Sequence, residues 1–137
     1  MTRLWMRVQQ IVDECANRIM DEVKDIARTL DRLKRTEFER IARRYNVIMF
    51  LVVERSDENP LLTIPVLYVK LLKTHKWATY WRQVTHVVGF IEQDIKFWAS
   101  DYRLAVRALP PTGEQYLKNI IAVYGGGGSG EEGSHIA

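Results

Sequence analysis

Seven bases stand between positions 28 and 44, against only three acids, Asp31, Glu37 and Glu39. The bases are Arg28, Arg32, Lys34, Arg35, Arg40, Arg43 and Arg44. A guanidinium offers a planar fork of donors that matches phosphate oxygens in pairs, so a row of arginines suits a repeating polyanion. Arginine outnumbers lysine in the chain by 13 to 7. Arg28, Arg32 and Arg35 are spaced by four and three, which places them on one helix face, opposite Ile26, Leu30 and Leu33. Arg40, Arg43 and Arg44 lie opposite Phe38, Tyr45 and Val52 in the same way. Four further bases, Lys70, Lys73, Lys76 and Arg82, fall in a stretch from Lys70 to His86 that holds no acid. These eleven residues are the candidate nucleic-acid contacts. The six arginines from Arg28 to Arg44 have no obvious asparagine or glutamine partner to read base edges, so the chemistry expected is phosphate contact without sequence preference. A solvated surface is the competing reading, although such a surface usually interleaves acids more evenly.

The chain's other reactive groups are poorly placed for catalysis. His75 and His86 have no carboxylate or second histidine three or four residues away, His135 has only Glu131 and Glu132 of the glycine-rich tail, and surface histidines are expected at all three positions. Cys15 lies on an apolar seam beside Asp13 and Glu14, which disfavour a thiolate, and reads as a small core residue. The glycines from Gly125 to Gly128 lack the lysine of a phosphate loop and follow a helix instead of preceding one. No catalytic residue, metal ligand, cofactor or small-molecule substrate is implied, and the chain reads as a non-enzyme.

The elements expected to carry the bases are helical throughout. Val8, Val12, Cys15, Ile19, Val23, Ile26, Leu30 and Leu33 form a near-heptad seam on a first helix over 2–35. Thr36 to Glu39 resembles a capping box and is read as a break, with a second helix carrying Phe38, Ile41, Tyr45, Ile48 and Val52. Val47 to Val53 is rich enough in β-branched residues for a strand, but no partner strand is evident elsewhere. A loop spans 56–64, Pro65 opens a short third helix to about Thr74, and a fourth runs from Trp77 to Leu109, where Pro110-Pro111 stops it. Thr112 and Gln115 suggest a last short helix through Tyr124. The fold class expected is therefore all-α: a helical arm over 1–55, basic from 28 to 44, then a helical bundle over 65–124 and a Gly-rich tail over 125–137.

Two helices of this length are each roughly 50 Å long, more than the ~37 Å diameter of a compact chain of this size. They must project, and an apolar seam on a projecting helix needs a partner. Phe90, Phe97 and Leu104 form a second stripe at sevenfold spacing, either packed at the centre of the bundle or facing another subunit. The tail is read as an assembly contact, with a flexible linker as the other reading.

Composition sets the outer bounds. The 137 residues are 47% hydrophobic and 27% charged, which is globular and not disordered. One cysteine excludes an intrachain disulfide. The longest apolar run, Val47 to Val53, is far short of the ~20 residues that span a bilayer, and charges at Arg3, Arg7, Asp13 and Glu14 argue against a signal peptide. The net charge of +3 points mildly to an anionic partner.

An arginine-bearing helix–turn–helix arm (Arg28 to Arg44) followed by a helical bundle (Trp77 to Leu109) resembles the major coat proteins of rod-shaped and filamentous viruses of hyperthermophilic archaea. The resemblance is one of architecture and covers most of the chain. It implies arms that wrap double-stranded DNA in A-form, subunits stacked into a helical filament, self-association or pairing with a second related coat protein, and a place in the virion after assembly in the host cytoplasm. The acids between Asp13 and Asp25 depart from the pattern, and that half of the first helix would have to face protein. Two other readings stand beside it: a dimeric regulator that approaches an operator through the same arginines, and a helical protein-interaction module. Either would place the chain inside a cell.

Overall fold

A computed structural model of the chain describes residues 2–56, 58–59, 62–73 and 76–126. It corrects the all-α expectation: two helices pack on one face of a four-stranded mixed sheet. The order along the chain is α1 (Thr2–Tyr45), β1 (Val47–Arg55), β2 (Thr63–Leu71), α2 (Trp77–Ala99), β3 (Ala105–Ala108) and β4 (Ile120–Gly125). Short 3₁₀ turns at Ser100–Tyr102 and Gly113–Tyr116 flank β3. The strands lie in the order β3-β2-β1-β4, with β1 antiparallel to both its neighbours and β2 parallel to β3.

The first helix does not break at Thr36. It continues for 44 residues because its buried stripe continues, through Val23, Ala27, Leu30, Phe38, Ile41 and Ala42. No glycine or proline interrupts it, and the threonine–glutamate pattern has no chain reversal to cap. The helix ends instead at Asn46, whose φ of 56° is left-handed. Asparagine is among the few side chains that tolerate this conformation at a helix end.

Beyond Asn46 the expected second and third helices are strands. In β1, Val47, Met49, Leu51 and Val53 face the helices, while Phe50 and Val52 face the other side. Its missing partners are β2, paired over its whole length from Val47↔Leu71 to Arg55↔Thr63, and β4, paired from Ile48↔Gly125 to Val52↔Ile120. Pro65 belongs to β2 and does not open a helix. β3 pairs with β2 only from Val66 onward, so one flank of the strand is open at Pro65, where a residue without an N–H is tolerated.

The fourth helix ends at Ala99, not Leu109. Arg103, left-handed at φ 54°, turns the chain into β3. The expected helix after Pro111 is a single 3₁₀ turn followed by β4. The segments before and after it tuck Leu109 and Leu117 under Phe50, Val52 and Val66 on the far face of the sheet. Cys15 is exposed, a correction to the core position expected. His86 is exposed; His75, His135 and the tail from Gly127 lie outside the described residues.

Hydrogen-bonded tyrosines tie neighbouring elements together. The Tyr80 hydroxyl donates to the Leu109 carbonyl, and the Tyr68 hydroxyl donates to Glu54 Oε2 at 2.5 Å. Burial, chiefly, pushes both phenols up to about 12 from the ordinary value near 10. A raised folded-state pKa means stability that is whole below pH 10 and lost as pH rises through the folded value. The unfolding midpoint should therefore start to fall above about pH 10, and Tyr80→Phe with Tyr68→Phe should flatten that fall. Thermal unfolding from pH 8 to 12, with tyrosinate absorbance followed in parallel, checks this. A decline equally steep in the double variant would remove Tyr68 and Tyr80 as its cause.

Candidate nucleic-acid interface

The C-terminal two thirds of α1 lies on the sheet with its stripe from Ala16 to Ala42 turned inward. Arg28, Arg32, Arg35, Arg40, Arg43 and Arg44 are all exposed on the solvent side. The acids of the same segment are not distributed with them. Asp31 accepts a hydrogen bond from the Tyr124 hydroxyl on β4 at 2.7 Å, and its side chain is only 17% exposed. Glu39 accepts from the Gly125 backbone N–H at 3.1 Å. Both carboxylates thus clamp α1 to β4. Burial is the main force raising the Tyr124 phenol far above its ordinary range, helped by the bond to Asp31.

Glu37 is the acid left on the outer side. It meets Arg40 in a two-pronged pair at 2.7 and 3.2 Å, and that hydrogen bonding lowers the Glu37 carboxyl below its usual range. Arg28 pairs with Asp25 at 3.3 Å, Arg35 with Asp31 at 3.0 Å, and Arg44 reaches Asp94 of α2 at 3.7 Å. Exposed pairs of this kind contribute roughly 0–1 kcal/mol, so a phosphate can compete for the guanidinium. Arg32 and Arg43 make no ion pair among the described residues. By helical spacing they also point most directly away from the sheet. Lys34 leans inward, its ammonium 5.0 Å from the centre of the Trp98 ring.

The ridge ends at a recess that sequence reading did not find. Tyr45, Asn46, Leu72, Lys73, Gln83 and His86 are among the residues around a hollow of about 470 Å³, beside Arg44. Lys73, placed in a separate basic cluster by the sequence, is thereby brought to the end of α1. Tyr45 fixes one wall: its ring stacks on Phe90 at 6.2 Å and its hydroxyl donates to Asp94 at 2.7 Å. Asn46 carried the only sequence signal for this turn.

The remaining members of the second cluster separate. Lys70 is on the far face of the sheet, its ammonium 2.5 Å from Glu114, and does not join the ridge. Lys76 and Arg82 are exposed at the start of α2, with no contact to the α1 bases among the described residues.

The stripe of Phe90, Phe97 and Leu104 is also divided. Phe97 is 83% exposed, Phe90 is stacked on Tyr45, and Leu104 lies beyond the end of α2, packed against the main core. A largely apolar cavity of about 590 Å³ lies between Ile19, Val23, Ile26, Thr63, Pro65 and Tyr102, among others, and reaches Asp25, the partner of Arg28. No group of three or more histidine, cysteine, aspartate or glutamate residues able to hold a metal ion occurs among the described residues. No described helix is long and apolar enough to cross a membrane. The chain matches no protein-family model, no curated protein and no solved structure.

Proposed function

We propose that the chain is a structural protein, not an enzyme, that sheathes double-stranded DNA without sequence preference and assembles with other copies, as the coat of a helical filament does. The observation that carries the reading is the segregation of charge on α1: Asp31 and Glu39 are turned onto β4 while six arginines face outward. An outer surface on which six arginines are accompanied by Asp25 and Glu37 suits a continuous phosphate backbone. The arm-and-bundle architecture behind the resemblance to archaeal virus coat proteins is not the one observed, so the reading rests on this charge layout.

Binding through phosphates releases counterions, and affinity then falls linearly with salt on logarithmic axes, by about 0.9 in slope per contact on B-form duplex. Arg32→Gln with Arg43→Gln should flatten that slope by roughly 2 and weaken binding to all duplexes alike. Fluorescence titrations of random duplexes at several salt concentrations measure both quantities. Unchanged affinity and slope would mean that the ridge only faces solvent. A preference of ~10³ or more for one site would point to a regulator instead.

A further inference from the structure

The apolar cavity of about 590 Å³ lies where α1, the start of β2 and the turn at Ser100–Tyr102 meet. Its volume falls within the ~300–1,000 Å³ typical of small-molecule pockets. Ile19, Val23 and Ile26 of α1, Pro65 of β2 and Tyr102 supply apolar wall. Thr63, also on the wall, opens β2 on the face it shares with Leu67 and Leu71. It is only 6% exposed, and its buried hydroxyl has no hydrogen-bond partner among the described residues. The wall's other threonine is already satisfied: the Thr29 hydroxyl donates to the Asp25 carbonyl at 2.9 Å.

Folded chains rarely leave a buried hydroxyl unpaired. Packing does not ask for this one, since valine has nearly the same shape and strand preference without the polar atom. The hydroxyl therefore marks a place where a group from outside completes a hydrogen bond. The charges along the wall bear on the rest of that molecule. Asp25 is engaged with Arg28 at 3.3 Å, and the exposed Asp101 and Arg103 are opposite in sign. A wall balanced in this way selects neither an anion nor a cation.

We propose that the cavity binds an uncharged, mostly apolar small molecule carrying one hydrogen-bonding oxygen, an aliphatic alcohol or ketone, and that Thr63 recognises the oxygen. A threonine hydroxyl both donates and accepts, so either group suits it. The inference goes beyond the DNA-sheathing reading and does not depend on it, because no ridge arginine lines the cavity. A chain that takes the alcohol but ignores DNA would keep the one and lose the other.

Calorimetric titration of the full chain with 1-octanol, octanoate and octylammonium at neutral pH gives the first test. Octanol should bind with a dissociation constant below ~1 mM, and both ions at least about tenfold more weakly. No octanol binding up to ~1 mM would overturn the proposal, as would an ion that binds equally well. Thr63→Val should weaken octanol about tenfold, the usual effect of one lost hydrogen bond, whereas Thr63→Ser keeps the hydroxyl and should stay within about threefold. Undiminished affinity in Thr63→Val, or equal losses in both variants, would reject Thr63 as the recognising group. Heteronuclear NMR of the wild type locates the ligand without any variant. Octanol should shift the amides of Ile19, Thr63 and Tyr102. Shifts confined to the exposed residues around Trp5 would show adhesion to bare apolar surface and overturn the proposal.

Discussion

Phe38→Ala should lower the unfolding free energy by about 3–5 kcal/mol, enough to bring a typical domain of 5–15 kcal/mol close to its unfolding threshold at physiological temperature. Phe38 is fully buried where three elements meet. Its ring sits edge-on to Trp98 of α2 at 5.5 Å and tilted against Tyr124 of β4 at 4.7 Å. Truncation removes both ring contacts and leaves a cavity that a helix, a second helix and a strand must all move to fill. Urea denaturation should show the midpoint falling with the slope unchanged. A loss under 1 kcal/mol would mean that the three elements can close on one another, and that this junction does not hold α1 to the sheet.

Gly125→Ala should be nearly as damaging, although it adds a single methyl. A Cβ at this position would stand 2.5 Å from the Val47 carbonyl oxygen and 2.8 Å from the Ala42 side chain, with φ at +78°. The left-handed backbone costs about 1–2 kcal/mol for a residue with a Cβ, and the overpacking about 1–3 kcal/mol more. The same substitution at Gly89, inside α2 and with nothing within 4 Å, should instead stabilise by about 0.5–1 kcal/mol. Opposite signs from two chemically identical changes, read in the same urea experiment, are the expected result. A neutral Gly125→Ala would show that the end of β4 can shift away from β1, and the clamp through Glu39 would then have to be looser than drawn.

The sequence showed the first helix and the start of the fourth because both are long and periodic. It hid the strands for a physical reason. A strand buried on both faces, such as β1, has no polar alternation, and its apolar run looks the same as a buried helical turn. Its partners β2 and β4 were hidden because Pro65 reads as a helix start, and because Thr112 with Gln115 and the glycines after Tyr124 read as the two ends of a helix. The extension of the fourth helix to Leu109 came from matches at Tyr102, Ala105 and Leu109 that fall on a helical period yet sit in a 3₁₀ turn, a strand and a loop.

The arginine ridge was legible because its spacing depends only on α1 being helical. The inward turn of Asp31 and Glu39 was not, since it depends on β4 arriving beside them from 93 and 86 residues away. The recess at Lys73 was hidden for the same reason, being made by the turn at Asn46. The near-heptad seam was visible, but its division was not. Val23 and Leu30 are spent on the sheet, while Val8, Val12, Ile26 and Leu33 stay exposed.

The uninterrupted course of α1 has a mechanical consequence. At 44 residues it is a strut of about 66 Å, with its free apolar end and its arginines on the same unjointed rod. The exposed apolar third and all six arginines therefore move as one body, and a break engineered at Thr36 would let Arg28, Arg32 and Arg35 turn relative to Arg40, Arg43 and Arg44 without removing a single charge.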